Sequence, residues 1–335
     1  MNLIDVVKHY ARKVDDFIFR LLSVKPDIDF LYRACRHLLE AGGKRLRPFL
    51  VIQSCMAVGG SEESAIPFAA AVELVHNFTL IHDDIMDQDS FRRGVPTVHV
   101  LWGVPTAILA GDLLFSKAFE AIFHNTATTH IPPHVVLRIS RKLAETVSTI
   151  AEGQALDMKF SGALKEREVS EEDYFKVIAK KTAALFEASC EIGGLAGCGT
   201  NEQVHALSKY GYNIGLAFQM QDDILGVIAD EKVLGKPVGS DLREGKCTLI
   251  LIHALRNARD ADRRFIMDIY GKKNFSRSDY EKFLEIIRKL GSIDYVLKVA
   301  KNYVEKAKKS LEVLPESNAR DLLMNLADFI VSRKY

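Results

Sequence analysis

Apolar residues recur every three or four positions along most of this 335-residue chain, which is the spacing of one face of an α-helix. The spacing is clearest in segments 29–58, 65–87 and 171–197, where alanine, a strong helix former, is frequent. Alternating strand patterns with hairpin turns are absent. Glycine and proline pairs such as Gly42-Gly43 and Pro132-Pro133 mark the ends of helices. The sequence therefore predicts an all-α fold of about ten or more helices.

The composition excludes several classes of protein. Apolar residues make up 48% of the chain, which allows a large core, but the apolar runs are too short for a membrane span. Lysine and arginine total 45 and aspartate and glutamate 44, so the chain lacks the basic excess of a nucleic-acid-binding protein. The five cysteines form no CxxC pair, and segment 1–16 predicts an amphipathic helix instead of a signal peptide. We expect a cytoplasmic protein with reduced thiols, no membrane span and no nucleic-acid partner.

The segment HDDIMDQD, residues 82–89, concentrates carboxylates on a predicted helix. At about 100° per residue, Asp83 and Asp87 lie one turn apart on one face. His76 falls on the same stripe, and Asp84 lies to its side. Like charges at this spacing destabilise a helix by roughly a few tenths of a kcal/mol, and by more if they are buried. A Mg²⁺ ion, which typically takes one or two carboxylates and substrate phosphates, would remove the repulsion. The alternative is a solvated acidic helix end.

A second acidic pair lies within the segment AFQMQDDILGV, residues 217–227. Gln219, Asp222, Asp223 and Gly226 fit one helix face, and apolar residues surround the pair on both sides. A charged pair within so apolar a helix indicates a function. The two acidic segments could face each other across a bundle and hold several metal ions between them.

Basic residues cluster in four segments that could balance this negative charge. They are Lys44, Arg45 and Arg47; Arg92 and Arg93; Lys180 and Lys181, followed by Thr182; and Lys236, Arg243 and Lys246. Lysine and arginine bind phosphate strongly, and carboxylates bind Mg²⁺, so a metal-bridged diphosphate would satisfy both sets. Any one of these basic residues alone could equally be a solvated surface residue. No GxxxxGK[ST] loop is present, which disfavours nucleotide binding of that type.

The order and spacing of five motifs resemble the trans-isoprenyl diphosphate synthases (polyprenyl synthetases). The motifs are GGKRLRP, HDDIMDQDSFRRGVPTVH, KKT, FQMQDD and GKPVGSDLREGK. They cover nearly the whole chain, and the resemblance is strongest to archaeal-type short-chain geranylgeranyl diphosphate synthases. It implies a single isoprenoid-synthase domain over residues 1–335, built as one large helical bundle around a deep central cavity. It also implies a homodimer.

The resemblance assigns substrate contacts to numbered positions. Residues that resemble the isopentenyl diphosphate pocket are Lys44, Arg47, His76 and Arg93. Residues that resemble contacts to the allylic diphosphate are Arg92, Lys181, Thr182, Gln219, Lys236 and Lys246.

The resemblance also implies about three Mg²⁺ ions per active site. Their ligands would be Asp83, Asp87 and Asp222. The residues implied to be catalytic are Asp83, Asp84, Asp87, Asp222, Asp223 and Lys181. One departure is visible, since Gly226 stands where many members of the family carry a third aspartate.

The implied reaction is head-to-tail prenyl transfer from an allylic diphosphate to isopentenyl diphosphate. The family sets product length with bulky residues just before the first aspartate motif, which here are Phe78 and Thr79. One aromatic residue there, without an insertion in DDIMD, predicts geranylgeranyl diphosphate. On a regular helix Phe78 points about 140° away from Asp83, so either the helix is irregular or Phe78 blocks the tunnel from the side.

Other functions remain open from the sequence. A farnesyl or other-length synthase would share the motifs. A terpene cyclase would not need the second diphosphate pocket that GGKRLRP and RRG suggest. A non-catalytic subunit of a heteromeric synthase is expected to lose the aspartates, which this chain retains.

Overall fold

The computed structural model describes residues 3–124, 131–165, 168–228 and 239–333. Within these ranges the only strands are β1 (Phe91–Arg92) and β2 (Val95–Pro96), which pair antiparallel. The helices are α1 (Leu3–Leu21), α2 (Asp29–Glu40), α3 (Leu46–Ala57), α4 (Glu62–Met86), α5 (Val98–His124), α6 (Pro133–Phe160), α7 (Glu171–Ile178), α8 (Ala184–Ala196), α9 (Asn201–Ile228), α10 (Ser240–Glu244), α11 (Leu249–Asn257), α12 (Asp260–Ile269), α13 (Arg277–Lys289), α14 (Ser292–Ser310) and α15 (Asn318–Ser332). The predicted all-α class is confirmed.

Side-chain caps fix where several helices begin. A capping box begins α7, because Ser170 accepts from the backbone of Asp173 and the Asp173 carboxylate accepts from the backbone of Ser170. Ser276 and Asp279 make the same reciprocal pair at α13. Each box satisfies backbone N–H groups that the first turn of a helix leaves without an intrahelical partner.

The chain divides into two compact units. The first comprises Met1–Val147, Leu185–Gly211 and Ser310–Leu326. Within it α4 packs against α3 and α5, and both α3 and α4 are mostly buried. A Cβ on Gly193 of α8 would lie 2.2 Å from the carbonyl oxygen of Val51, so the glycine allows close approach of α8 to α3.

The second unit comprises Ser148–Ala184, Tyr212–Lys309 and Ala327–Tyr335. Its apolar core includes Met220, Ile250, Ile287 and Val296, all fully buried. A short π-helical segment, Ala179–Ala183, joins the end of α7 to α8. The prediction that residues 1–335 form a single domain stays a prediction.

Two helices stand out by length and apolar composition. By these criteria alone, α4 and α5 could each cross a membrane, but 67% of the apolar stretch of α4 is buried inside the protein. Only 28% of the stretch in α5 is buried, and Gly103, with φ of 81°, interrupts that helix. The apolar surface of α5 therefore needs an explanation other than the core of one chain.

Candidate active site

The first acidic cluster lies at the C-terminal end of α4. Asp83 and Asp84 are in its last turn, and Asp87 donates its backbone N–H to the carbonyl of Asp83 at 2.8 Å. The C-terminal end of a helix carries the negative pole of the helix dipole, so carboxylates there are unfavourable unless a cation is close. The position of the cluster on the fold therefore favours binding of positive charge.

The three carboxylates of this cluster differ in exposure. Asp84 is completely buried and accepts a hydrogen bond from Nε of Arg92 in β1. Arg92 also lies 3.4 Å from the carboxylate of Asp89. Asp83 and Asp87 are half-buried. The buried ion pair holds the β1–β2 hairpin against α4, while Asp83 and Asp87 are accessible to an ion from solvent.

Arg47 and His76 meet on neighbouring helices of the same unit. Nη1 of Arg47 lies 3.2 Å from Nε2 of His76, and its guanidinium lies 4.5 Å from the ring centre of Phe186. Desolvation, followed by the charges of Arg47 and Arg93, lowers the pKa of His76 well below its ordinary value. The neutral imidazole therefore accepts a hydrogen bond from Arg47. This bond holds the guanidinium in place, and a neutral histidine does not cancel its positive charge.

Arg93 and Arg45 line the turn that contains Gly42. Nη1 of Arg93 donates to the carbonyl of Leu38 at 2.6 Å and also to the carbonyl of Gly42. Arg45 is 4% exposed and donates to Asp15, Gly42 and Leu39 at 2.8 Å each. Arg45 is thus a structural cation, whereas the neighbouring Lys44 is exposed. The sequence alone could not separate these two basic residues.

The second acidic pair lies on α9 in the second unit. Asp222 has a side chain that is 40% exposed, and its Oδ1 lies 2.5 Å from Nη2 of Arg333. Asp223 is 6% exposed and accepts from Oη of Tyr174 at 2.7 Å and from Nε2 of Gln219 at 2.8 Å. Burial, followed by the charge of Asp241, raises the pKa of Asp223 to about 8. Adjacent aspartates therefore have different environments, one open to solvent and one enclosed.

The π-helical segment carries Lys181 and Thr182. Nζ of Lys181 lies 2.5 Å from Oδ2 of Asp157 on α6, and Oγ1 of Thr182 donates to Oε1 of Gln219 at 2.7 Å. A Cβ on Gly153 would lie 2.4 Å from the backbone nitrogen of Lys181, so α6 touches the backbone of this segment directly. Helical segments of this type are frequent at functional sites. Thr182 and Gln219 are thus in contact, whereas Lys181 pairs with Asp157, and the substrate roles of all three stay predictions.

Two further predicted contacts, Lys236 and Lys246, follow α9 along the chain. Lys246 follows α10, and its Nζ lies 2.8 Å from Oε2 of Glu244. Lys236 lies outside the described residues. Where the family pattern has a third aspartate, a Cβ on Gly226 would lie 3.0 Å from Oδ2 of Asp241. The carboxylate of Asp241 on α10 therefore lies close to Gly226, the position at which this chain lacks the third aspartate.

Phe78 heads a row of aromatic rings between α4 and α5. Its ring centre lies 5.5 Å from those of His82 and Phe115, and Phe115 lies 5.4 Å from Phe119. Since α4 is one helix from Glu62 to Met86, the side chain of Phe78 points away from Asp83 as regular helix geometry requires. The alternative of an irregular helix is therefore not needed. Thr79 donates its hydroxyl to the carbonyl of His76 at 2.8 Å. Sequence reasoning missed Phe115 and Phe119, although their spacing of four residues on an apolar helix was a visible signal.

The donor set suits Mg²⁺. Asp83, Asp87 and Asp222 present half-exposed carboxylate oxygens, which are the hard ligands that Mg²⁺ prefers. Among the described residues, no group of three or more His, Cys, Asp or Glu side chains is assembled to hold a metal ion. Mg²⁺ typically takes one or two carboxylates together with substrate phosphates.

Residues 28–287 match the sequence model of the family described as Polyprenyl synthetase. The chain belongs to the polyprenyl synthetase family. This polyprenyl synthetase is similar to the geranylgeranyl diphosphate synthase of Methanosarcina mazei, with 45% identity over 335 residues that cover 100% of this chain and 99% of the relative. It is also similar to the geranylfarnesyl diphosphate synthase of Aeropyrum pernix, with 42% identity over 324 residues that cover 96% and 99%.

A crystal structure of geranylgeranyl pyrophosphate synthetase from Pyrococcus horikoshii superimposes on this polyprenyl synthetase with a TM-score of 0.90. The two chains share 48% identity, and the match covers 99% of this chain and 98% of the other. The all-α isoprenoid synthase fold and the prenyltransferase class predicted from the motifs are confirmed. The roles of the individual site residues in this polyprenyl synthetase stay predictions.

Proposed function

We propose that this protein condenses isopentenyl diphosphate with allylic diphosphates, head-to-tail and in trans, to give geranylgeranyl diphosphate. The observation that carries the proposal is the separation of charge in the first unit. Asp83 and Asp87 are half-exposed at the C-terminal end of α4. Arg47 contacts His76, and Arg93 donates to a backbone carbonyl. Metal-bound and arginine-bound diphosphates need these two different environments, and a prenyl condensation uses two diphosphate substrates.

The charged residues would act on the leaving group. Bound Mg²⁺, about three ions per site, would supply Lewis-acid stabilisation of the departing diphosphate. Lys181, Thr182 and Gln219 would hold the allylic diphosphate while its carbon–oxygen bond breaks and the electron pair goes to the diphosphate. The double bond of isopentenyl diphosphate then attacks the allylic cation, and the departed diphosphate takes the proton that is lost. Arg92, Lys236 and Lys246 would add contacts to the same diphosphate.

The isopentenyl diphosphate would lie against Lys44, Arg47, His76 and Arg93. Arg47 is restrained by Phe186 and by a neutral His76, so little conformational freedom remains to be lost when it binds a phosphate. Exposed Lys44 extends from the turn that Arg45 anchors. This pocket distinguishes the proposal from a terpene cyclase, which binds one diphosphate.

Product length would be set by Phe78, with Thr79 beside it. The ring of Phe78 is backed by Phe115 and then by Phe119, so a growing chain meets a wall of aromatic groups. The names of the two relatives differ by one isoprene unit, which makes a longer product the second candidate, alongside farnesyl diphosphate.

A second copy of the chain would cover the exposed apolar face of α5. Five apolar residues of this helix are each 43–52% exposed, and clustered exposed apolar residues mark interaction surfaces: Val100, Leu101, Val104, Ile108 and Leu109. We expect a homodimer in the cytoplasm. All five cysteines are free thiols, which is in keeping with a reducing compartment.

The test is product analysis of the purified chain with labelled isopentenyl diphosphate, Mg²⁺ and dimethylallyl, geranyl or farnesyl diphosphate. We expect geranylgeranyl diphosphate from every primer and no product without isopentenyl diphosphate. A hydrocarbon formed from geranylgeranyl diphosphate alone would indicate a cyclase. No turnover by the purified chain would indicate a subunit of a heteromeric enzyme.

A further inference from the structure

Four side chains in the second unit form one continuous line of hydrogen bonds. Oη of Tyr174 lies 2.7 Å from Oδ2 of Asp223, and Nε2 of Gln219 lies 2.8 Å from its Oδ1. Oε1 of the same Gln219 lies 2.7 Å from Oγ1 of Thr182. Tyr174, Asp223 and Thr182 are each 8% exposed or less. The line therefore runs through the protein interior from α7, across α9, to the π-helical segment.

The chemistry of each group fixes the direction of every bond. Oδ2 of Asp223 accepts from the tyrosine hydroxyl, and its Oδ1 accepts from the glutamine amide nitrogen, which can only donate. The amide nitrogen of Gln219 faces Asp223, and its oxygen must then face Thr182. The hydroxyl hydrogen of Thr182 is in turn directed at Gln219. A single tyrosine at the start of the line thus sets the orientation of two side chains beyond it.

The helix geometry explains why Asp223 and Asp222 do not share one role. They are neighbours on α9, so their side chains point about 100° apart. Asp223 and Gln219 are four residues apart and lie on one face, which is directed toward Tyr174. Asp222 is directed to a half-exposed position beside Arg333. The line of hydrogen bonds therefore ends at predicted substrate contacts without including a predicted metal ligand.

We propose that Tyr174 is a positioning residue, which acts through Asp223 to fix Gln219 and Thr182, so that the second amide hydrogen of Gln219 can be donated to the allylic diphosphate. This inference rests on the proposed function, because it takes Gln219 and Thr182 to be contacts of that substrate. Nothing in the sequence pattern marks Tyr174, which lies in a short amphipathic helix whose apolar face is buried.

The test is Tyr174→Phe, which removes one oxygen atom and keeps the ring. The change leaves a buried oxygen of Asp223 without its donor, which is unfavourable, so we expect kcat/KM for the allylic substrate to fall on the order of tenfold or more. The KM for isopentenyl diphosphate should change less than about twofold, because its predicted pocket lies elsewhere. The matched control is Tyr210→Phe, since Tyr210 lies on α9, the helix that carries Gln219 and Asp223, and its Oη donates to the carbonyl of Leu323 at 2.7 Å. The control should lose stability and keep wild-type kinetics.

A double-mutant cycle separates positioning from general stability. If Tyr174 acts through Gln219, then Gln219→Ala should cost clearly less in the Tyr174→Phe background than in the wild type. Additive losses, or kinetics of Tyr174→Phe equal to those of Tyr210→Phe, would overturn the inference. Should Tyr174→Phe fail to fold, Asp223→Asn tests the same line, with the same expected loss for the allylic substrate alone.

Binding of inorganic pyrophosphate with Mg²⁺, measured by calorimetry, makes the test independent of turnover. A wild-type chain that forms no prenyl product would contradict the proposed function. Weaker pyrophosphate binding by Tyr174→Phe than by Tyr210→Phe would still support the positioning role. Equal binding by the two variants would contradict that role alone.

Discussion

Arg333 and Asp222 form an ion pair between the chain's C-terminal segment and α9, with Nη2 and Oδ1 2.5 Å apart. The guanidinium also donates to the carbonyl of Phe218 at 3.1 Å and lies 4.1 Å from the ring centre of the same residue. Gln221 donates to the carbonyl of Arg333 at 3.0 Å. Arg333 is therefore fixed from several sides, and it supplies positive charge at a predicted metal ligand.

The first prediction concerns this pair. Arg333→Gln should lower the free energy of unfolding by about 1–2 kcal/mol, less than for a fully buried pair because Asp222 is partly exposed to solvent. Mg²⁺ should raise the melting temperature of the variant more than that of the wild type, because the ion replaces the missing charge at Asp222. Thermal unfolding with and without Mg²⁺ measures both effects. Lys308→Gln, which breaks an exposed pair with Asp328, is the control and should leave the response to Mg²⁺ unchanged.

The second prediction separates Asp83 from Asp84. Asp83→Asn should reduce kcat by about 100-fold or more at fixed Mg²⁺, with little change in stability, because the side chain is half-exposed and predicted to bind the ion. Asp84→Asn breaks the buried pair with Arg92 and should destabilise the protein by about 3 kcal/mol. Mg²⁺ titrations of activity and chemical unfolding measure the two effects. Equal losses of stability in both variants would contradict the division of roles.

The third prediction concerns product length. Phe78→Ala should lengthen the products, because it removes the first ring of the aromatic row. Phe115→Ala alone should lengthen the products less than Phe78→Ala, because the ring of Phe115 lies behind that of Phe78. The double variant should give longer products than either single variant. Chromatography of labelled products measures the distribution. If Phe78→Ala gives wild-type products, Phe78 has no part in setting length.

The fourth prediction concerns pH. The unfolded chain protonates His76 near its ordinary pKa of 6.5, whereas desolvation and neighbouring arginines keep the folded pKa well below that value. The unfolded state therefore binds the proton first, and the contribution of His76 to stability is lost as pH falls below about 6.5, at about 1.4 kcal/mol per unit of pKa difference. His76→Gln should reduce the loss of melting temperature between about pH 7 and pH 5. The exposed His205 provides the control His205→Gln, which should keep the wild-type slope.

The fifth prediction concerns self-association. Leu109→Glu places a charge in the exposed apolar face of α5 and should convert the dimer to monomer in analytical ultracentrifugation. Val313 is also an exposed apolar residue, 42% exposed and outside α5. Val313→Glu should therefore sediment as the wild type does. A monomeric wild-type protein would contradict the homodimer.

Local sequence patterns were enough to predict the helical class and the helices that carry both acidic pairs. They succeed because periodicity depends on residues a few positions apart. They could not predict that Arg45 is structural, since its partner Asp15 lies 30 positions away. The pairing of Arg333 with Asp222 spans 111 positions and has no local signal either.

The candidate site shows the same limit in the second unit. The motif KKT predicted a role for Lys181 and Thr182 but not the widened helical turn that carries them. Tyr174 could not be predicted, because a tyrosine on the buried face of a short helix is ordinary and its partner Asp223 lies 49 positions away. Side-chain networks of this kind are decided by tertiary packing.

The widened turn at Ala179–Ala183 has a consequence for which changes the chain can tolerate. Such a turn contains one more residue than a regular one. Deleting one of its residues would restore an ordinary α-turn, in which the flanking helix keeps its direction but the residues inside the turn are redistributed around the axis. Thr182 lies inside the turn and would change its direction relative to Gln219, while Tyr174 lies before the turn and would not. Single substitutions here change one side chain, but a shortening by one codon would separate Thr182 from Gln219, so length should be more strictly maintained in this segment than residue identity.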